Sequence, residues 1–394
     1  MIKKIQHLAE EQFNEIQSIR HYLHEYPELS FNEYQTSEFI CRKLKEYNIP
    51  FQNNIVKTGI LAAVKGKNPD KRVIALRADM DALPIQEEND IPYKSKKKGI
   101  MHACGHDVHS ACLLGAANIL RQLKQEMEGT VLLIFQPGEE LIPGGAKLML
   151  EQGIFRNTIP ELIIAQHVMP EFHVGTVGFK PGMYMASCDE IYITVKGKGG
   201  HAATPDLTQD TVLAASQLIV ALKQRLNKNT FADIPTILSF GKIIANGATN
   251  VIPNEVKIEG TFRTMNENWR QQVHEQIAAI TNSLAQTNNL RIDLEIRKGY
   301  PVLINDEKMT DYAVDFSKNY LGQENIINMD IRMTSEDFAY FSQKIPAVFY
   351  RLGVGNNTKN IISPVHSATF NIDEEALKTG AGLMAWLAVS FLKF

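Results

Sequence analysis

Val131-Leu-Leu-Ile-Phe-Gln-Pro-Gly-Glu-Glu140 sets a short, continuous apolar run before two adjacent carboxylates, with Gln-Pro-Gly between them. An apolar run of strand length without polar alternation is the pattern of a strand buried on both faces, as in a parallel sheet covered by helices. Three further runs read the same way: 73–76 (Val-Ile-Ala-Leu), 162–165 (Leu-Ile-Ile-Ala) and 347–350 (Ala-Val-Phe-Tyr). Between them the period changes to that of helices. Residues 107–124 carry an apolar stripe at Val108, Ala111, Cys112, Ile119 and Leu123, and 144–150 and 309–320 also read as helical. The N-terminal stretch 13–45 is helical in spacing, interrupted by Pro27. Continuous strands alternating with helices predict an α/β domain built on a mainly parallel sheet with helices on both faces.

The middle of the chain follows another rule. Segments 191–195, 236–244, 256–262 and 290–296 alternate in period two, while 211–226 and 268–285 are helical. The order β-α-β-β-α-β is that of a ferredoxin-like α+β unit with one sheet face left open. The sequence therefore predicts a domain made of 1–185 and 301–394, interrupted by an insert at 186–300.

Polar residues gather where the parallel strands end. Asp79 and Asp81 follow 73–76, Glu139 and Glu140 follow 131–135, His167 follows 162–165, and His366 follows 347–350 after a loop. The carboxyl edge of an open α/β sheet is where loops converge on one crevice and ligands bind. Met101-His-Ala-Cys-Gly-His-Asp107 adds Cys104 and His106 at the entrance of a helix. Two adjacent carboxylates at a sheet edge repel unless a cation or a shared proton compensates them. Thiolate, imidazole and carboxylate together suit zinc, and imidazole with carboxylate also suits manganese, cobalt or nickel. Cys104 paired with His106 or His109 as nucleophile and base is a second reading, and a binding protein without catalysis a third. His7, His21, His24, His173 and His274 read as surface or structural, and Cys41, Cys112 and Cys188 as small core residues.

Composition narrows the classes. The 394 residues carry 41 basic and 44 acidic side chains for a net charge of −3, without the cationic field that nucleic-acid binding needs. No apolar stretch approaches the roughly 20 residues of a membrane span. Four cysteines cannot staple a disulfide scaffold. The N-terminus turns polar at once, unlike a signal peptide, so the expected location is cytoplasmic and no membrane partner is expected.

Several motifs are shared with a known family: His24-Glu-Tyr-Pro-Glu-Leu29, Leu76-Arg-Ala-Asp-Met-Asp-Ala-Leu-Pro84, the 101–107 segment, Gln136-Pro-Gly-Glu-Glu140, Gln166-His-Val168, Lys198-Gly-Gly-His-Ala-Ala203, Asn250-Val-Ile-Pro253, Ser335-Glu-Asp-Phe338 and Pro364-Val-His-Ser367. With these, the chain resembles the dimetal amidohydrolases of the peptidase family that includes N-acyl-amino-acid amidohydrolases, hippurate hydrolases, indole-acetyl-amino-acid hydrolases and N-acetyl-diaminopimelate deacetylases. The resemblance implies two divalent ions per subunit, manganese or zinc first, with nickel or cobalt also suitable. Cys104 would bridge them, His106 and His167 would ligate one side, and Glu140 and His366 would complete the set. Glu139 would activate a metal-held water as general base, and His201 would steady the scissile carbonyl, often from the partner of a dimer. Asn250 and Arg263 would hold the substrate, and Asp79 and Asp81 would orient ligands. The implied activity is hydrolysis of the amide bond of N-acyl amino acids, or of small peptides, by a homodimer or higher oligomer in which the insert acts as lid and dimerisation domain. Gly138 stands where alanine is common in that family, Val108 where glycine is, and Ser363 and Val365 are mild variants.

Overall fold

The computed structural model describes residues 1–227 and 234–394. The chain divides into two compact units, one of 1–183, 304–331 and 337–394, the other of 184–303 and 332–336. The short segment 332–336 thus joins the second unit.

The first unit is built on an eight-stranded sheet. Its strands include β1 (Phe51–Ile55), β2 (Gly59–Lys65), β3 (Val73–Asp79), β4 (Thr130–Gln136), β5 (Leu162–His173) and β6 (Val177–Phe179). The order is β1-β2-β4-β3-β5, then Ala347–Gly355, β6 and Ile326–Asn328. The centre is parallel, with β3 pairing both β4 and β5, and Ala347–Gly355 pairing β5. The antiparallel pairs β1/β2 and β2/β4 extend one side. All seven residues of β4 are buried, which requires cover on both faces and accounts for the absence of polar alternation in its sequence. Each large apolar side chain of such a strand contributes roughly 1.5–3 kcal/mol by leaving water.

Residues 13–45 resolve into helices Phe13–Glu25 and Tyr34–Glu46, the first ending two residues before Pro27, as the steric demand of proline on its predecessor favours. Helix His106–Leu123 packs against the C-terminal helix Ala376–Lys393. Gly380 makes this approach possible, since a Cβ there would sit 2.6 Å from Cys112 Sγ. Cys41 and Cys112 are buried, and Cys112 lies in the main core. No helix among the described residues is long and apolar enough to cross a membrane.

The second unit is a four-stranded antiparallel sheet in the order Thr236–Ile244, Glu255–Thr264, Asp189–Lys196, Arg291–Lys298. Numbered along the chain this is 2-3-1-4, the ferredoxin-like arrangement. Buried and half-exposed residues alternate along Asp189–Lys196. Its inward residues Ile191, Ile193 and Val195 meet Leu218, Leu222, Val273 and Ile277 from helices Thr211–Asn227 and Glu267–Thr287. Asn266 caps the second helix by accepting the Trp269 N–H. His274 is structural, with Nε2 2.6 Å from the buried Asp189 carboxylate, which Arg270 also holds.

Candidate metal centre

The parallel strands and two loops of the first unit converge on one cluster, buried except for the half-buried Glu140 and the exposed His366. Asp79 is the last residue of β3, where the register sets it beside Gln136, the last residue of β4. Glu139 and Glu140 follow on the turn beyond. His167 was expected just past its strand, but β5 runs on to His173, so the ring projects from the strand itself. Cys104 and His106 flank Gly105, whose φ of +79° starts helix His106–Leu123. A Cβ on Gly105 would lie 2.7 Å from Val168 Cγ2, so only glycine satisfies both the left-handed backbone and the close approach to β5. His366 also has positive φ, +62°, and its N–H donates to the Ala103 carbonyl at 2.7 Å, tying its loop to that of Cys104.

Donor atoms of Cys104, His106 and His167 lie within 4.8 Å of one another, as do those of Cys104, Glu140 and His366, and those of His106, Glu139 and Glu140. Cys104 Sγ is 3.4 Å from His167 Nε2, and His366 Nε2 is 3.2 Å from Glu140 Oε1. The rings are oriented alike. His106 has Nδ1 on Asp81 Oδ1 at 3.3 Å, and its buried Nε2 meets no hydrogen-bond partner among the described residues. His167 gives Nδ1 to the Val168 carbonyl at 2.8 Å and turns Nε2 to the thiol. One nitrogen anchored and the other aimed at a common point is how metal-ligating histidines are held. This donor set, with an orphaned imidazole nitrogen at its centre, fits divalent cations.

Asp81 accepts the backbone N–H groups of Glu139 and Glu140, each at 3.0 Å, and the Ser30 hydroxyl at 2.6 Å. It thus fixes the turn carrying both glutamates. Asp79 binds His109 Nδ1 at 2.6 Å, and His109 Nε2 accepts the Val168 N–H at 2.9 Å. Both nitrogens of His109 are therefore occupied, which removes it as a base for Cys104. Burial and the Glu140 charge push the Cys104 thiol up, the opposite of an activated nucleophile. Burial alone would lower His106, but Asp79, Cys104 and Asp81 outweigh it and raise it. Hydrogen bonds to Cys104 and Glu140 push His366 up to about 10. Burial and Arg351 lower His167.

His201, Asn250 and Arg263 belong to the second unit. His201 is exposed on a two-residue strand opposite Val251, its Nδ1 accepting the Ala203 N–H at 3.1 Å. The Asn250 carbonyl accepts the Ala202 N–H at 2.9 Å. Arg263 donates through Nη1 to the Met333 carbonyl at 3.1 Å.

Several supporting residues gave no distinct signal in the sequence. His24, within a quoted motif, is fully buried between Asp107 Oδ2 at 2.8 Å and Glu87 Oε1 at 3.1 Å, and Arg20 shares Asp107. Glu33 Oε1 accepts the N–H groups of Phe31 (2.9 Å) and Gly138 (2.8 Å), and its Oε2 accepts the Thr58 hydroxyl. Gly138 has φ +60°, and the Phe31 ring occupies the space a Cβ would need. Burial and the nearby Asp81 push the Glu33 carboxyl up to about 7 from 4.5. The folded chain thus binds this proton more tightly than the unfolded one. The associated stability is complete below about pH 4.5 and is lost as pH rises through about 7, on the order of 3 kcal/mol in all. Glu33→Gln, which keeps the protonated shape, is expected to raise Tm relative to wild type at pH 8 far more than at pH 5. Equal shifts in melting scans at the two pH values would refute this.

Among proteins of known identity, the N-acetyl-L-cysteine deacetylase of Bacillus subtilis is 40% identical over 359 residues, covering 91% of this chain and 84% of its own. The hippurate hydrolase of Campylobacter jejuni is 37% identical over 380 residues, covering 96% and 97%. The crystal structure of the Bacillus subtilis YXEP protein, a dinuclear metal binding peptidase from the M20 family, superposes with a TM-score of 0.84 at 35% identity over 98% of this chain and 99% of that one. The model of peptidase family M20/M25/M40 matches residues 75–389, a span that holds every residue of the cluster. The chain belongs to peptidase family M20/M25/M40 and is a hydrolase.

Proposed function

We propose that the chain hydrolyses the amide bond of N-acyl amino acids with two divalent cations per subunit, manganese or zinc in the first place. The observation that carries this is that Cys104 shares one donor group with His106 and His167 and another with Glu140 and His366, while Glu139 lies beside His106 and Glu140 in a third. Cys104 belongs to two of the donor groups and would be shared by both cations, with His106 and His167 on one side and Glu140 and His366 on the other. Bound there, the cations would supply Lewis acidity at the carbonyl and a nucleophile at neutral pH.

The remaining steps fall to side chains. Glu139 accepts the proton of the attacking water and returns it to the leaving nitrogen. His201, supplied by the same chain or by the partner of a dimer, donates to the oxygen on which negative charge develops. Asn250 and the guanidinium of Arg263 engage the substrate carboxylate or backbone. Asp79 and Asp81 act by orientation. In the same reading the second unit is a lid and dimerisation domain of a cytoplasmic homodimer or higher homo-oligomer.

Metal-free protein reloaded separately with manganese, zinc, cobalt and nickel is expected to release amino acid from N-acetyl or N-benzoyl amino acids with at least one of them. Hydrolysis of dipeptides alone would favour the peptidase reading, and no hydrolysis with any metal would reject both.

A further inference from the structure

Arg77, in β3, is fully buried beneath the cluster. Its Nε donates to Gln136 Oε1 at 2.8 Å, Nη1 to Asp79 Oδ2 at 2.5 Å, and Nη2 to Asp337 Oδ1 at 2.8 Å. Gln136 Nε2 donates to both Asp337 oxygens at 2.8 Å, and the Ala146 N–H to Oδ2 at 3.0 Å. The Asp337 carboxylate is thus fixed from three sides. Its own backbone N–H then donates to Glu139 Oε1 at 3.2 Å, across 198 residues of sequence. The opposite arm of the same guanidinium fixes Asp79, which orients His109 and through it the Val168 N–H beside His167.

We propose that Arg77, Gln136 and Asp337 form a positioning frame for Glu139: the buried Arg77–Asp337 pair, locked by Gln136, sets the backbone N–H that fixes the Glu139 carboxylate for proton transfer. The inference rests on the amidohydrolase reading and adds residues to it. A donor on one carboxylate oxygen restricts the torsions of the side chain. General-base transfer requires the acceptor within hydrogen-bond reach of the proton, and misplacement by about 1 Å costs about 100-fold in rate. The charge of Asp337 serves the frame, because Arg77 then lies between two carboxylates and each of its donor faces meets a fixed acceptor.

Removing Arg77 would strand two buried carboxylates and endanger folding, so the test uses Asp337→Asn, Gln136→Glu and the double variant. Each single change sets like hydrogen-bonding groups or like charges against each other. The pair exchanges amide and carboxylate, restoring the donor–acceptor match between 136 and 337 and losing only the Ala146 contact. In the cobalt-loaded full chain, each single variant is expected to lose about 10- to 100-fold in kcat with KM within about twofold. The double variant should recover to within about tenfold of wild type. Metal content and the visible cobalt spectrum should stay those of wild type, because no ligand is touched. Crystal structures of the loaded variants should show the Glu139 carboxylate turned in the single variants and restored in the double. Full kcat in the single variants, loss of metal, an altered cobalt spectrum, or Glu139 unmoved in the crystal would each overturn the frame. An inactive wild type would reject the amidohydrolase reading instead, and the position of Glu139 in the crystals would still decide the frame.

Discussion

Glu139→Gln is expected to retain both cations and to lower kcat by about 100- to 10,000-fold, the range removed with a general acid–base group. The substitution is nearly isosteric. A carboxamide oxygen can still accept the Asp337 N–H that Glu139 Oε1 accepts at 3.2 Å, so the turn after β4 should keep its shape. The turn also depends on main-chain atoms, because Asp81 grips the N–H groups of Glu139 and Glu140 rather than their side chains. What disappears is the ability to take up a proton. Glu139 lies close enough to His106 and Glu140 to share a cation with them, so metal content separates base from ligand. Two metals per chain with collapsed turnover supports the base. Loss of one metal would make Glu139 a ligand, and unchanged turnover would remove it from the chemistry.

The strands that build this site were legible because they are buried on both faces, as 131–135 shows: five apolar residues in a row, bounded by Gln-Pro-Gly, are of strand length and too short for a buried helix. The nested arrangement was legible because period two in 191–195 replaces the continuous runs on either side. The helix Ala376–Lys393 was not, because nearly all its residues are buried and an all-round apolar helix has no stripe to detect. β1 is illegible for the opposite reason: residues 52–54 are exposed and polar, so that strand gives no apolar signal. The cluster itself was visible as reactive residue types at strand ends. Its supports were not, since nothing in the local sequence marks Arg77 or Glu33 as buried. Only tertiary pairing across as many as 260 residues, as between Arg77 and Asp337, reveals that these charges are buried and matched.

Cys104→Ala is expected to abolish paired metal binding, because Cys104 is the one residue common to the groups with His106 and His167 and with Glu140 and His366. Changes merely adjacent to metal ligands commonly cost about 10- to 100-fold in affinity, so loss of a shared ligand should exceed about 100-fold. The protons give an independent reading. In the metal-free chain the Cys104 thiol is pushed up by burial and Glu140, and His366 is held at about 10, first by its hydrogen bond to Cys104 and then by Glu140. Both groups are therefore protonated at pH 7.5 and must release protons when they bind a cation. It follows that metal affinity should rise with pH through this range in wild type. Without the thiol, one proton source is gone and His366 loses the largest influence raising it. Calorimetric titration with zinc in two buffers of different ionisation enthalpy should then show at least about one proton fewer released per chain than wild type. Equal stoichiometry, affinity and proton release in the two proteins would exclude Cys104 as a shared ligand and leave the buried thiol without a role at the centre.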